Sequence, residues 1–321
     1  MPTRPLSLDD HGHCEKKVTR AFAHSKFANL HMVSALRQSV SIIGSAVLIL
    51  MLGLPAVESW AAAEPTKFQT KLKNIQLCNG SDRSSPEPQI KGCTGIIDSG
   101  NETALVLAIA YNNRGDAYAA KGDYDLAIND YDMAIKLNPD FAKPFNNRGV
   151  VFQKKGEYDR AIKDFDEAIK FSPDYANAFA NRAETNQRRG DYQSAARDYD
   201  DAIRLKPDLE AVWNGRCWAR AVLGQLQPAL ADCNKALLVQ PNDAATFDSR
   251  GLIYLKLGQL DSAIQDYNSA LRIEPKMASA LFGRGLARIK KGDTAGGNAD
   301  VEAAKKLETK VADDFSSYGV R

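Results

Sequence analysis

Apolar residues recur with helical spacing along most of the chain, in paired stretches divided by glycine. In residues 110–139, AYNNRGDAYAAKGDYDLAINDYDMAIKLNP, apolar and small side chains fall three or four positions apart on both sides of Gly122. A glycine in the left-handed conformation commonly ends a helix, and a proline ends one because it has no amide hydrogen. The pattern therefore predicts two helices, the first ending near Gly122 and the second before Pro139.

This pattern returns with a period of 34 residues. Six rows begin at residues 108, 142, 176, 210, 244 and 278, and column 15 of every row is glycine. Column 32 is proline in the first five rows, and the polar residue after four of these prolines can cap the next helix. These candidate caps are Asp140, Asp174, Asp208 and Asn242. A fixed period indicates repeats that bury their faces against one another.

The rows resemble tetratricopeptide (TPR) repeats over about 204 of the 321 residues. They share aromatic residues at columns 4 and 24, small residues at column 8, alanine at column 20 and proline at column 32. The sixth row departs from this at Gly297 and Thr309, as a terminal repeat should. The resemblance implies an all-α TPR superhelical solenoid of antiparallel helix pairs, with six 34-residue repeats over residues 108–311 and a degenerate N-terminal cap.

An export signal is predicted before the repeats. Residues 40–57 form an uncharged apolar run that Arg37 precedes, and Ala61–Ala63 supply a small-x-small cleavage site. We expect residues 32–63 to be the signal peptide of a periplasmic protein of a Gram-negative bacterium. An inner-membrane anchor with the repeats in the periplasm is the alternative. Residues 1–31 form a polar extension, which would not be translated if synthesis starts at Met32.

Residues 64–107 predict a degenerate helix pair that caps the array. Its helices are expected at residues 68–77 and 89–99, on either side of a turn-rich stretch. Cys78 and Cys93 fall one on each helix, and paired cysteines in an exported chain favour a disulfide bond. Such a bridge would stabilise the cap by roughly 3 kcal/mol.

A second cysteine pair lies in the fourth row. Cys217 and Cys233 occupy columns 8 and 24, which face each other across the helix pair. Two interpretations stay open: a second disulfide bond, or two buried thiols that fill positions for small and medium side chains.

Charge and histidine content remove several classes of function. Residues 64–321 carry 36 lysines and arginines and 36 aspartates and glutamates, so the region has no net positive field for nucleic acid. All four histidines lie in the first 31 residues, which takes the usual general base and imidazole ligand away from the repeats. We expect no enzyme activity, no cofactor, no metal site and no nucleic-acid partner. The membrane is a partner only if the segment 32–63 stays uncleaved.

Arginine at column 7 and aspartate at column 23 occur together in all six rows. The arginines could form a ladder that reads an acidic ligand, or each could pair with an aspartate of its own or a neighbouring row. A ligand would not require an aspartate in every copy. The pairing interpretation is therefore favoured.

The resemblance places ligand-binding positions on the first helix of each row, where the concave groove lies. Asparagine amides there can both donate to and accept from an extended peptide backbone. We predict a scaffold or adaptor that binds a peptide or protein segment in this groove; the alternative is a membrane-tethered accessory subunit of an envelope assembly or secretion complex. The candidate peptide-binding residues are Asn112, Asn113, Asp116, Asn146, Asn147, Asn181, Glu184, Asn214 and Trp218.

Rows four to six carry apolar residues at the same groove positions. These residues are Trp218, Leu252, Leu255, Leu286 and Ile289. They could form an exposed partner site, or they could pack between helices and under Val311, Phe315 and Tyr318 near the C-terminal tail, residues 312–321.

Overall fold

The computed structural model describes residues 56–80 and 85–320, and all regular secondary structure in these ranges is helical. The predicted all-α class is confirmed. The described residues belong to two compact units, one ending at Asn101 and the other beginning at Glu102. The predicted extension 1–31 and most of the predicted signal 32–63 lie outside the described residues. Among the described helices, none is both long and apolar enough to cross a membrane.

The first unit is a helix pair, α1 (Ala56–Cys78) and α2 (Pro86–Ile97). Both helices begin earlier than the sequence predicted, α2 because Pro86 serves as its first residue, where a missing amide hydrogen costs nothing. A side chain at Gly92 would place its Cβ 2.5 Å from the Cβ of Leu77. The close approach of the two helices therefore depends on that glycine.

The second unit contains six antiparallel helix pairs followed by a short helix. Pair 1 is α3 (Ala104–Lys121) and α4 (Tyr124–Leu137), and pair 2 is α5 (Ala142–Lys154) and α6 (Tyr158–Phe171). Pair 3 is α7 (Ala176–Arg188) and α8 (Tyr192–Leu205), and pair 4 is α9 (Glu210–Val222) and α10 (Leu226–Val239). Pair 5 is α11 (Ala244–Lys256) and α12 (Leu260–Ile273), and pair 6 is α13 (Ala278–Lys291) and α14 (Thr294–Leu307). The last helix is α15 (Val311–Ser317).

The helix ends follow the glycine and proline pattern. Gly122 has φ 85° and is the C-cap of α3, and the other column-15 glycines share the left-handed conformation. Each second helix of pairs 1–5 ends two residues before its proline. These two predictions are confirmed.

The predicted N-caps are wrong by one residue. The amide of Phe141 donates to the carbonyl of Asn138 at 3.1 Å, which places Asp140 inside a turn and leaves Phe141 as the N-cap of α5. The same turn shifts the cap at the other pairs. The observed N-caps are Tyr175, Leu209 and Asp243 in place of Asp174, Asp208 and Asn242.

Aromatic rings packed on glycine hold the two helices of a pair together. A Cβ at Gly149 would lie 2.7 Å from the ring of Phe165, and Gly115 and Gly251 stand in the same relation to Tyr131 and Tyr267. These three rings are fully buried. The aromatic residue at column 24 therefore fills the space that the small residue at column 8 leaves.

The second unit curves toward its first helices. Neighbouring first helices contact one another along the described array, whereas no such contact joins neighbouring second helices. Because the first helices are closer together, they line the inner, concave face.

Candidate functional site

The concave face has two halves of different chemistry. The polar half, on α3, α5 and α7, presents amides, carboxylates and cations. The apolar half, on α9, α11 and α13, presents aromatic and aliphatic side chains. Each half contains some of the predicted binding residues.

Hydrogen-bonded amides connect pairs 1 and 2 beneath the polar half. Asn147 Nδ2 donates to Asn112 Oδ1 at 3.2 Å and to Asp116 Oδ1 at 2.7 Å. The Tyr131 hydroxyl donates to the same Asp116 oxygen at 2.9 Å. Asn112 Nδ2 in turn donates to Asn113 Oδ1 at 3.1 Å. All of these hydrogen bonds join side chains, so they depend on the residue type at each of these positions.

The same arrangement continues from pair 2 to pair 3. Asn146 Nδ2 donates to Asn147 Oδ1 at 3.1 Å, and Asn181 Nδ2 donates to Asn146 Oδ1 at 2.9 Å. The four ladder asparagines, Asn112, Asn146, Asn147 and Asn181, are 0 to 5% exposed. We call these side chains, with Asp116 and Tyr131, the amide ladder. It holds three successive first helices at a fixed spacing.

Asp116 is the charged member of the amide ladder. Burial raises the pKa of its carboxyl above the ordinary value, while the Lys143 ammonium and hydrogen bonds from Tyr131 and Asn147 limit the rise. Lys143 Nζ lies 3.6 Å from Asp116 Oδ2. The carboxylate therefore has partners on both adjacent pairs and is not free for a ligand.

A cleft of about 550 Å³ opens at the edge of the polar half, next to the turns that join the helices of pairs 1–3. It lies where α5 and α7 end and where α4 and α6 begin. Its lining includes the exposed cations Lys154, Lys155 and Arg188. The other lining residues are Tyr124, Gln153, Gly156, Tyr158 and Glu184.

The lining residues of the cleft include three cations and one carboxylate, and carboxylate oxygens of Asp125 and Glu157 lie 2.8 and 3.8 Å from Lys155 Nζ. Arg188 Nη2 donates to Glu184 Oε1 at 2.8 Å, so the one carboxylate is already paired. Lys155 Nζ donates to Asp125 Oδ1 at 2.8 Å at the rim. Lys154 Nζ lies 6.0 Å from the centre of the Tyr124 ring. This arrangement is suited to a ligand with acidic and apolar groups.

The column-7 arginines pair with aspartates, which confirms the structural interpretation. Arg182 Nε and Nη2 donate to the two carboxylate oxygens of Asp198, at 3.0 and 2.7 Å. Its Nη1 donates to Asp166 of the preceding pair. The bidentate contact recurs in all six pairs, at Arg114–Asp130, Arg148–Asp164, Arg216–Asp232, Arg250–Asp266 and Arg284–Asp300.

The apolar half is covered by the C-terminal segment, residues 311–320. Trp218 is 8% exposed, and its ring meets the Tyr318 ring edge-on at a centroid distance of 4.9 Å. Phe315 packs on Phe282 at the same centroid distance. Leu252 and Leu255 are buried in the same cluster. Of the two interpretations, packing under the tail is the one that the structure confirms.

Family profiles for this sequence match both ends of the helix-pair array. A profile described as TPR repeat matches residues 115–156 and 251–292, and one described as tetratricopeptide repeat matches residues 142–175. Residues 142–175 span helix pair 2, and each of the other two segments runs from the middle of one first helix to the end of the next. The chain contains tetratricopeptide repeats. Comparison with the sequences of curated proteins gives no match.

Solved TPR structures share the fold at low sequence identity. A tetratricopeptide repeat protein from Parabacteroides merdae has a TM-score of 0.57 at 15% identity, over 78% of this chain and 99% of that chain. The APC/C hetero-tetramer Cut9–Hcn1 gives 0.60 at 17%, over 79% and 50%. The pilF protein of Pseudomonas aeruginosa gives 0.56 at 18%, over 65% and 96%. These likenesses establish the TPR fold alone.

Two cysteine pairs of this TPR protein lie at disulfide distance. The sulfur atoms of Cys78 and Cys93 are 2.07 Å apart, and those of Cys217 and Cys233 are 1.95 Å apart. The second pair joins α9 to α10 within pair 4. Such pairs are typical of an oxidising compartment.

Of the residues that line the cleft of the TPR array, sequence reasoning named Glu184 and missed the others. The predicted residues Asn113 and Asn214 are half-buried, and Asn214 Oδ1 accepts no hydrogen bond from the described residues. The cleft depends instead on the cations just before the column-15 glycines. The runs Lys154-Lys155-Gly156 and Arg188-Arg189-Gly190 were a usable signal, since these are adjacent rows and among the other four only the sixth, with Lys290-Lys291-Gly292, has two basic residues there.

Proposed function

We propose that this TPR protein is a non-catalytic scaffold that binds an extended, acidic segment of a partner protein in the polar half of its concave face. TPR solenoids in general use such surfaces for protein interaction. The cleft carries the proposal. Acidic side chains of the segment would approach Lys154 and Arg188, and apolar ones would pack on Tyr124 and Tyr158.

The amide ladder supports this proposal indirectly. Its asparagines form hydrogen bonds with one another, so they hold α3, α5 and α7 in place before a partner binds. A binding surface that is already ordered loses less conformational entropy on association. We therefore assign Asn112, Asn146, Asn147 and Asn181, with Asp116, to positioning the groove, and Asn113, Glu184 and Asn214 to its rim.

Selection of peptides from a random display library tests the proposal. The full chain is compared with Lys154→Glu/Arg188→Glu, which reverses two cations of the cleft. The matched control is Lys163→Glu/Arg197→Glu, the same charge change at exposed positions of the second helices α6 and α8. We expect acidic peptides to be enriched by the wild type and the control and lost with the cleft variant. Equal enrichment by all three would exclude the cleft as the site.

For the location of the protein, we propose export to the periplasm. The cysteine pairs at disulfide distance fit an oxidising compartment, and the apolar run at residues 40–57 favours either a cleaved signal or a tether. A tether would make the protein a membrane-held accessory subunit of an envelope assembly. N-terminal sequencing of the native protein distinguishes the two, since cleavage after Ala63 leaves Glu64 as the first residue.

A further inference from the structure

The C-terminal segment does more than close the end of the array. It leaves pair 6 after α14, and Phe315 packs on α13 of that same pair. Further along, Lys256 of pair 5 donates to the Tyr318 carbonyl at 2.8 Å. The Tyr318 ring then reaches Trp218 of pair 4. A segment that only covered the last helix pair would not need to cross three pairs.

We propose that residues 311–320 are an internal ligand of the apolar half, and that a partner segment with a short helix bearing two aromatic side chains three residues apart binds there by displacing them. The surface differs from the cleft of the proposed function and stands independently of it. Phe315 and Tyr318 supply the template for the two aromatic side chains. The acidic Asp313 and Asp314 in the first turn of α15 are part of that template.

Lys256 contacts the main chain of the segment, as a peptide-binding site does with its ligand. Its Nζ donates to the carbonyl oxygens of Ala221 and Tyr318, both at 2.8 Å. The contact to Tyr318 is to main chain, so any segment following the same path can make it. Burial lowers the pKa of Lys256 from its ordinary value.

Two buried polar atoms of pair 5, beneath the apolar half, lack a hydrogen-bond partner among the described residues. Within pair 1, the Tyr131 hydroxyl donates to Asp116. The corresponding tyrosine of pair 5 is Tyr267, and Leu252 takes the place of the aspartate. The hydroxyl of Tyr267 consequently has no hydrogen-bond partner among the described residues. Asp248 Oδ1 is also buried without a partner there, although Ser279 forms a hydrogen bond with the same carboxyl group.

Unpaired buried polar groups destabilise the folded state, because they lose their hydrogen bonds to water. Tyr267 lies in the same buried cluster as Val311 and Phe315, and Asp248 is 2% exposed. Release of the segment would bring water or a donor on the partner closer to these groups. This cost favours exchange of the segment over permanent closure.

A tethered segment and a free one compete unequally. The segment follows α14 after three residues, and a short tether gives an effective concentration on the order of millimolar. A free peptide of the same sequence therefore binds weakly while the tethered segment is intact, and it binds better once the contacts of the tethered copy are weakened.

Fluorescence anisotropy with a labelled synthetic peptide of residues 310–320 tests the proposal on the full chain. The variants Tyr318→Ala and Phe315→Ala/Tyr318→Ala weaken the tethered segment, and Ser316→Ala is the control at an exposed position of α15. We expect at least about tenfold tighter binding by the weakened variants than by the wild type and the control. Adding Trp218→Ala should remove the gain.

No gain in affinity by folded Tyr318→Ala would overturn the proposal, and so would a gain that survives Trp218→Ala. The single variant decides the matter if the double variant unfolds. Dimers of the wild type that the peptide dissociates would assign the apolar half to a second copy and also overturn the partner assignment. The cleft variant Lys154→Glu/Arg188→Glu should bind this peptide as the wild type does, which separates this test from that of the proposed function.

Discussion

At the scale of single residues, individual side chains bind two helix pairs at once. Arg148 holds both oxygens of Asp164 in its own pair and also donates to Asp132 of the pair before. Asn147 similarly reaches back to Asn112. Stability of the array therefore depends on positions that sequence periodicity marks as repeated, including polar ones.

Replacement of one column-7 arginine should destabilise the fold. Arg182→Ala leaves Asp198, which is 7% exposed, without its bidentate partner. A buried carboxylate that loses its partner costs about 2–3 kcal/mol. Urea unfolding measures this loss. Arg204→Ala, which removes an exposed pair with Asp201, is the control and should change stability by less than about 0.5 kcal/mol.

The carboxyl of Asp248 should make stability depend on pH. Burial raises its pKa from 3.8 to about 7, so the folded protein binds this proton more tightly than the unfolded chain does. Its effect is smallest below pH 4, and stability falls as pH rises from about 4 to 7.

Asp248→Asn removes this titration. We expect the variant to gain about 2–3 kcal/mol relative to the wild type between pH 5 and pH 8. Unfolding in urea at the two pH values measures the difference, with Asp208→Asn as the exposed control. A stability difference that does not change with pH would show that Asp248 ionises normally.

For the helices, the residues of one repeat were enough to predict where each helix ends. They were not enough to predict which side chains of neighbouring repeats meet. Gly122 and Pro139 act through their own backbone, so the boundaries of α3 and α4 could be predicted from sequence. The asparagines were predicted to face a ligand, yet Asn147 meets Asn112 from 35 residues away. Such a bond depends on how two helices are spaced, which the pattern in one repeat does not contain.

The cysteine pair of α9 and α10 should stabilise pair 4. Closing a loop of 16 residues between Cys217 and Cys233 raises the free energy of unfolding by roughly 3 kcal/mol in the chain-entropy estimate. The oxidised protein should therefore unfold at a higher urea concentration than the reduced one. In the variant Cys217→Ala/Cys233→Ala, the difference between the oxidised and reduced forms should shrink to the contribution of Cys78 and Cys93. After alkylation under denaturing conditions without reductant, mass spectrometry should find Cys78, Cys93, Cys217 and Cys233 unalkylated.

At the scale of the array, one repeat sequence yields two different surfaces. Polar residues at the groove positions of pairs 1–3 leave a charged cleft, while apolar residues at the same positions of pairs 4–6 attract the C-terminal segment. The sequence contained both halves, but it left open whether Trp218 is exposed. That depended on the path of residues 311–320, whose apolar side chains fit several surfaces equally well by pattern alone.

Photo-cross-linking of an enriched acidic peptide to the full chain locates the partner segment that we propose for the cleft. Benzoylphenylalanine replaces Tyr124 or Tyr158, which keeps an aromatic ring at each position and leaves Lys154 and Arg188 intact, and Lys163 on α6 is the control position. We predict cross-links from positions 124 and 158 and none from 163. Cross-links from position 163 alone would place the partner outside the cleft.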